Sequence, residues 1–320
     1  MNKFSIIIPV KEINDYIKKF IPIILEQSYK NFEIIILPNE RGGEEFKDKK
    51  VKVIATGNVG PAEKRDIGAR KAKGEILAFI DDDAYPDKKW LENALLNFNK
   101  GIVGVGGPNL TPKESSFFQK LSGVALASYL ISGPVNYRVK IAKRREINDF
   151  PSCNLFVLKK AFFKAGGFDT GFWPGEDTKL CLELVKQGKI VYDPEVIVYH
   201  HRRKDLGGYL KQIFTYSMHR GFFAKKYPET SRKISYFVPS LFLIGLILGG
   251  ILSFLSSWIA YTYLFVIAIY AVLLLIEAIR TKKISMILPF ILLAFATHIT
   301  YGMGFLVGIN KKNLKSKYRK

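Results

Sequence analysis

Three long runs without an acid or a base close the chain, and they limit its architecture more than any other feature. Phe237 to Leu255, Trp258 to Ile276 and Ile284 to Ile309 carry no Asp, Glu, Lys or Arg. Each reaches the ~18 apolar residues that mark a candidate membrane span. The other reading is a set of buried helices in a large soluble core. The expected division is a soluble domain over residues 1–205, an amphipathic linker over 206–235, about three transmembrane helices over 236–310 and a basic tail over 311–320.

The 49 Lys and Arg exceed the 28 Asp and Glu, and the resulting charge of +21 favours anionic partners such as nucleic acid, anionic lipid or sugar-nucleotide phosphates. A nucleic-acid binder leaves the spans unexplained, so no nucleic-acid partner is expected. Cys153 and Cys181 are too few for a disulfide framework and fit a reducing compartment. The apolar run after Met1 is too short for a signal peptide, which places the first domain in the cytoplasm, attached to the cell membrane by a multi-pass tail.

Strand-like and helix-like segments alternate through the first domain. Phe4 to Val10, Phe32 to Leu37, Val51 to Ala55, Ile76 to Ile80 and Ile102 to Val105 read as strands. Asp15 to Gln27, the stretch opened by Pro61, and Asp87 to Phe98 read as helices between them. Phe150 to Leu158 reads as another strand, Thr178 to Gln187 as a helix and Ile190 to Tyr199 as a final strand. This alternation predicts an α/β fold with a doubly wound, mainly parallel sheet, followed by the C-terminal α-helical transmembrane region. Tyr209 to Tyr227, rich in Tyr, Phe and bases, suits a helix in the membrane interface or an ordinary domain-edge helix.

Gly74 to Asp83 is the stretch that carries chemistry. Ile76 to Ile80 is apolar on both faces and runs directly into Asp81, Asp82 and Asp83. Burying three charges is costly, so the acids belong where the strand leaves the core, at the carboxyl edge where open α/β sheets bind ligands. Asp81 and Asp83 are two apart, which aims both the same way on an extended backbone and suits a divalent cation holding a phosphate. The plain alternative is a solvated turn in which Asp82 or Asp83 caps the next helix.

Glu176 and Asp177 follow Gly175 at a predicted helix start, where they serve either as simple N-terminal capping or as a catalytic base at the mouth of the site. His200 or His201, at a predicted strand end, is a candidate third metal ligand.

Taken in order, Ser5-Ile-Ile-Ile-Pro9, Gly60-Pro-Ala-Glu-Lys-Arg65-Asp-Ile-Gly68, Ile80-Asp-Asp-Asp83, Gly166-Gly-Phe-Asp169 and Gly175-Glu-Asp177 resemble the family 2 inverting glycosyltransferases of the GT-A fold over residues 3–203. The tail is similar to that of membrane-attached members such as the succinoglycan-type glucosyltransferases. The resemblance implies that Asp83, with Asp81 and His200, binds Mg2+ or Mn2+, and that Asp177, beside Glu176, is the catalytic base. It further implies that Pro9, Val10, Glu12, Arg65 and Asp81 contact the nucleotide; Asp82 is a further candidate there, or the structural member of the three acids.

Two departures from the family pattern stand out. Leu37 is followed by Pro38-Asn39-Glu40, so Asn39 or Glu40 stands where members carry a base-recognising aspartate. Gln212 is followed by Ile-Phe-Thr-Tyr and lacks the Gln-x-x-Arg-Trp of processive synthases, which implies single addition. The expected activity is transfer from a nucleotide-diphospho sugar to a polyprenyl-linked saccharide at the bilayer. The rivals are transfer directly to polyprenyl phosphate, and a catalytically idle nucleotide-sugar binder. One conflict remains in the tail. With two spans out and back, a third would place Lys311, Lys312, Lys315, Lys317, Arg319 and Lys320 outside, against the positive-inside rule, unless Ile284 to Ile309 is re-entrant or the tail overrides the bias.

Overall fold

The computed structural model describes residues 3–42, 46–168, 172 and 174–314. Asp169 of the Gly-Phe-Asp stretch, Trp173, and the tail from Lys315 lie outside the described residues. The chain forms two compact units, one built from residues up to Pro112 together with Lys140–His201, the other from Lys113–Val139 together with Arg202–Leu314.

In the first unit, strands β1 (Phe4–Pro9), β2 (Phe32–Leu37) and β4 (Ile76–Ile80) are buried at every position. Such runs need cover on both faces, and helices α1 (Asp15–Leu25) and α2 (Pro61–Lys71) alternate with them. The edge strand β3 (Val51–Val53) is half-buried. Strand β1 pairs parallel with β2 and β4, and β2 pairs parallel with β3. The remaining strands are β6 (Ile102–Gly106), β8 (Arg145–Ile147), β9 (Asn154–Leu158) and β10 (Lys189–Tyr192). They complete an eight-stranded sheet in the order β3-β2-β1-β4-β9-β6-β10-β8, in which β9 runs antiparallel to β4 and β6 and β8 antiparallel to β10.

A second sheet of three short strands orders β5 (Ala84–Pro86), β11 (Val198–His200) and β7 (Asn109–Leu110). It accounts for two differences from the pattern reading. The expected strand over Ile190 to Tyr199 is two strands in two sheets, because Asp193-Pro194 turns the chain where Pro supplies no ladder donor. The helix expected from Asp87 starts at Trp90 (α3, Trp90–Leu95), since Ala84–Pro86 pairs with β11 and Asp87 donates its own N–H to Ile197 O at 3.0 Å. Helices α6 (Lys159–Lys164) and α7 (Glu176–Leu184) precede β10.

The core of this unit gathers Ile6, Ile8, Ile34, Ile36, Ile76, Ala78, Trp90 and Phe156. Trp90 is fully buried, and its indole N–H donates to Asn154 Oδ1 at 2.8 Å. Asn154 in turn donates to the carbonyls of Gly107 and Val196, both at 2.8 Å, so one buried amide ties three chain segments below the site.

The second unit is helical: α4 (Phe117–Ala127), α5 (Tyr129–Ser132), a 3-10 turn (Gly133–Arg138), α8 (Leu206–Lys226), α9 (Pro228–Ser231), α10 (Ile234–Leu252), α11 (Ser257–Ile279) and α12 (Ile284–Asn310). Residues 113–139 cluster here although their chain neighbours belong to the sheet. Helix α4 opens on a capping box in which Ser116 and Gln119 satisfy each other's backbone N–H groups. Helices α10, α11 and α12 are long and apolar enough to cross a membrane. Helix α12 is one unbroken helix through Pro289 and its glycines, so the segment does not double back.

Candidate active site

The site begins where the sheet runs out of apolar residues. Pro9 lies opposite Leu37 and Ile7 opposite Phe79, so β1, β2 and β4 end together at one carboxyl edge. Val10, Asn39 and Asp81 leave the sheet there. The turn after β4 closes with Ala84 N donating to Asp81 O at 3.2 Å, and the chain then enters β5.

Strand β11 delivers the histidine. His200 lies opposite Ala84 in the antiparallel pairing, which brings it beside the residue before Ala84. Its Nε2 is 2.9 Å from Asp83 Oδ1. Asp81, Asp83 and His200 each offer one ligand atom, and the three atoms lie within 4.8 Å of one another. His201 goes elsewhere. Its backbone N–H donates to Asp83 O at 3.0 Å, while its ring sits 5.0 Å from that of Tyr16 and stacks on Phe20. Alternation along β11 thus separates a cluster-facing histidine from a packing one. Two carboxylates and an imidazole converging at half-buried positions form a donor set that suits a hard divalent cation such as Mn2+ or Mg2+.

Asp82 turns the other way. It accepts from Asn14 Nδ2 at 2.6 Å, and Asn14 also caps α1 by accepting from Ile17 N. Burial, then the Asp83 charge, push the Asp82 carboxyl up to about 6.

Arg65 on α2 holds the centre. Its Nη2 lies 2.6 Å from Asp81 Oδ1 and its Nη1 3.0 Å from Glu176 Oε1. Burial opposes its charge, but Asp81, Glu176 and Asp177 outweigh that and raise the guanidinium pKa above its ordinary value. Burial, followed by the charge of Asp177, pushes Glu176 up to about 7 against the opposing pull of Arg65. Glu176 and Asp177 form the first turn of α7 behind Gly175, whose φ of 110° lies in the region glycine reaches without strain. Asp177 accepts from Thr178 N at 2.8 Å and from Ser152 N at 3.4 Å, and it is half-buried where Glu176 is buried.

The edge also holds a lysine that pattern reading passes over. Lys64 is buried, and its Nζ donates to Val10 O at 2.5 Å, Leu37 O at 3.1 Å and Asn39 Oδ1 at 2.5 Å. Burial lowers its pKa to about 8, with Asp82 pulling the other way. One ammonium thus clamps the ends of β1 and β2 and orients Asn39. Pro9 and Val10 are buried in this clamp, whereas Glu12 and Glu40 are exposed. The only signal for Lys64 in the sequence is its position one turn into a helix that packs on an apolar sheet.

The profile of glycosyl transferase family 2 matches residues 5–166. A Methanococcus voltae protein named dolichyl N-acetyl-alpha-D-glucosaminyl phosphate 3-beta-D-2,3-diacetamido-2,3-dideoxy-beta-D-glucuronosyltransferase is 25% identical over 98% of this chain and 99% of its own length. The pre-mycofactocin glycosyltransferase of Mycobacterium tuberculosis is 26% identical over 53% of this chain, and the match spans only 36% of that protein. Among solved structures, the mannosyltransferase PcManGT from Pyrobaculum calidifontis, in complex with GDP-Man and Mn2+, superimposes with a TM-score of 0.65 at 17% identity. That likeness covers 94% of this chain and 87% of the other, and it establishes the shared fold. Through a profile match that extends over half its length, together with a GT-A sheet of the same architecture, the chain belongs to glycosyl transferase family 2.

Proposed function

We propose that this protein is a membrane-attached inverting glycosyltransferase that moves a sugar from a nucleotide-diphospho sugar to a polyprenyl-linked saccharide, with its sheet domain on the cytoplasmic side. The observation that carries this reading is the Asp81–Asp83–His200 cluster at the carboxyl edge, joined through Arg65 to the helix turn that bears Asp177.

In this reading Asp83, Asp81 and His200 hold Mg2+ or Mn2+, which when bound supplies positive charge to the departing diphosphate. Val10 and Asn39, set by Lys64, border the nucleotide. Arg65 is too deeply buried to reach far into the cleft, and its work is to hold Asp81 and Glu176 in place. Asp177 accepts the proton of the acceptor hydroxyl as that oxygen attacks the anomeric carbon opposite the diphosphate, and the single displacement inverts configuration. The full-length similarity to a protein whose name specifies a dolichyl-phosphate-linked sugar supports a polyprenyl-linked sugar as acceptor.

The test is a donor panel against purified full-length protein with Mg2+ or Mn2+, reading released nucleoside diphosphate. Acceptor arms contain polyprenyl phosphate or polyprenyl-linked monosaccharides. Release that requires the glycosylated lipid supports the reading. Release with bare polyprenyl phosphate replaces the acceptor, and no release with any pair rejects the activity.

A further inference from the structure

The third apolar helix is covered in a way the first two are not. Its exposed large apolar residues are Ile284, Leu288, Leu292, Phe295, Met303 and Val307. They recur every three or four residues with one interruption, which draws a single stripe along the whole of α12. The opposite face is buried, from Met286 and Phe290 through Thr297 and His298 to Gly304 and Gly308. A helix standing alone in lipid would be exposed all round, as α11 nearly is with 6% of its most apolar window buried, against 39% for α12.

Helices α10 and α11 touch α12, with Phe237 against Phe305 and Tyr270 against His298, and the rest of its cover comes from elements that are not spans. Over its first half lie α4 and α5. Leu121 and Ala125 share an apolar cluster with Met286, Phe290 and Leu293, and His298 Nε2 is 3.0 Å from Leu130 O. Over its second half lies α8. Tyr209 and Thr297 hydroxyls are 3.0 Å apart, and Lys225 Nζ donates to Lys311 O at 2.9 Å. The approach between them is glycine-tight: a Cβ on Gly304 would fall 2.0 Å from Ser217 Oγ, and one on Gly308 1.9 Å from Met218 O.

Chain connectivity then restricts where α12 lies. The segment carrying α4 and α5 leaves the sheet domain after Pro112 and rejoins it at Lys140, with helices of 11 and 4 residues, far short of the ~20 a span needs. Helix α8 follows the sheet domain directly and carries Lys211, Arg220, Lys225 and Lys226, and it is not among the candidate spans of the described residues. Elements tethered to the sheet domain therefore accompany α12 from Met286 to Lys311. A transmembrane helix would carry one of these ends to the far surface.

We propose that α12 lies in the plane of the membrane on the side of the sheet domain, with its Ile284-to-Val307 stripe turned into the acyl region, and that only α10 and α11 cross, as a hairpin. The partner of this stripe is the bilayer itself. The arrangement also removes the charge conflict in the tail. Arg280, Lys282 and Lys283 before α12, and Lys311 and Lys312 after it, then fall on one side, where anionic headgroups attract them.

Spin labels placed one at a time at Leu288, Leu292, Met303 and Val307 of the full chain in bilayers measure depth through oxygen and nickel accessibility. The 19 residue steps from Leu288 to Val307 span about 28 Å of helix, so the two readings separate widely. Labels at one common depth are expected. A depth profile that deepens to the bilayer centre and rises again to the far surface overturns the proposal. An impermeant thiol reagent on sealed vesicles adds an independent readout. Asn313→Cys should label from the same side as Lys49→Cys, and Ser256→Cys from the other. Labelling of position 313 with position 256, or of all three from one side, contradicts the two-span arrangement.

Discussion

Arg65 Nη1 and Glu176 Oε1 lie 3.0 Å apart in a pair whose side chains are 5% and 6% exposed. The same guanidinium reaches Asp81 with its other nitrogen at 2.6 Å, so one cation joins the acid at the end of β4 to the acid at the start of α7. Removing the cation leaves a buried Glu176 carboxylate and a half-buried Asp81 without their shared partner. Arg65→Met should lower stability by about 3–5 kcal/mol, read as a fall in melting temperature of the detergent-solubilised protein. Adding Glu176→Gln should restore part of that loss, because it removes the unpaired charge. An unchanged melting temperature in the single variant would show that the pair contributes no stability.

Metal binding should separate the two neighbouring histidines. His200→Ala removes a member of the Asp81–Asp83 cluster and should weaken Mn2+ binding about ten-fold or more. His201→Ala removes a ring stacked on Phe20 and should lower the melting temperature while leaving Mn2+ affinity near the wild-type value. Asp83→Ala should weaken metal-dependent donor binding at least as far as His200→Ala. Calorimetric titration of Mn2+ in the presence of nucleoside diphosphate checks all three.

Asp66 gives a pH-dependent term in stability. Burial first, against a hydrogen bond from Phe168 N, pushes its pKa up to about 6 from 3.8. The folded state therefore holds this proton more tightly than the unfolded chain. The stability it contributes is full below the unfolded value and is lost as pH rises towards 6. Asp66→Asn keeps the acceptor for Phe168 N and removes the titration. The variant should gain about 1–2 kcal/mol over wild type at pH 7 relative to pH 4, after allowance for solvent screening of this partly exposed carboxylate. Parallel melting curves across that range supply the test, and equal slopes for both proteins would remove Asp66 as the source.

The strands that carry the site were legible because Ile6 to Ile8, Ile34 to Ile36 and Ile76 to Ile80 are buried on both faces and so read as unbroken apolar runs. The acids were legible because three charges directly after such a run have one affordable place. The three-stranded sheet was not: Ala84–Pro86 and Val198–His200 are too short for a period-2 signal, and their pairing is long-range. That pairing decides between His200 and His201, which local sequence leaves equivalent. Lys64 and Arg65 sit next to each other on α2. Only the fold shows that both are buried, one clamping the ends of β1 and β2 and the other bridging Asp81 to Glu176. The in-plane disposition proposed for α12 was hidden for a related reason, since hydropathy reports how apolar a helix is and says nothing of what covers its other face.

Asp177 as the base that takes the acceptor proton is the central element of the proposed mechanism. The direct measurement compares wild type with Asp177→Asn in nucleoside diphosphate release from the active donor and acceptor pair, alongside the dissociation constant of the donor. Loss of turnover by about 10²–10⁴-fold, with donor binding within a factor of two or so, is the predicted result. Normal turnover in Asp177→Asn would contradict the assignment, and so would an equal loss of donor binding.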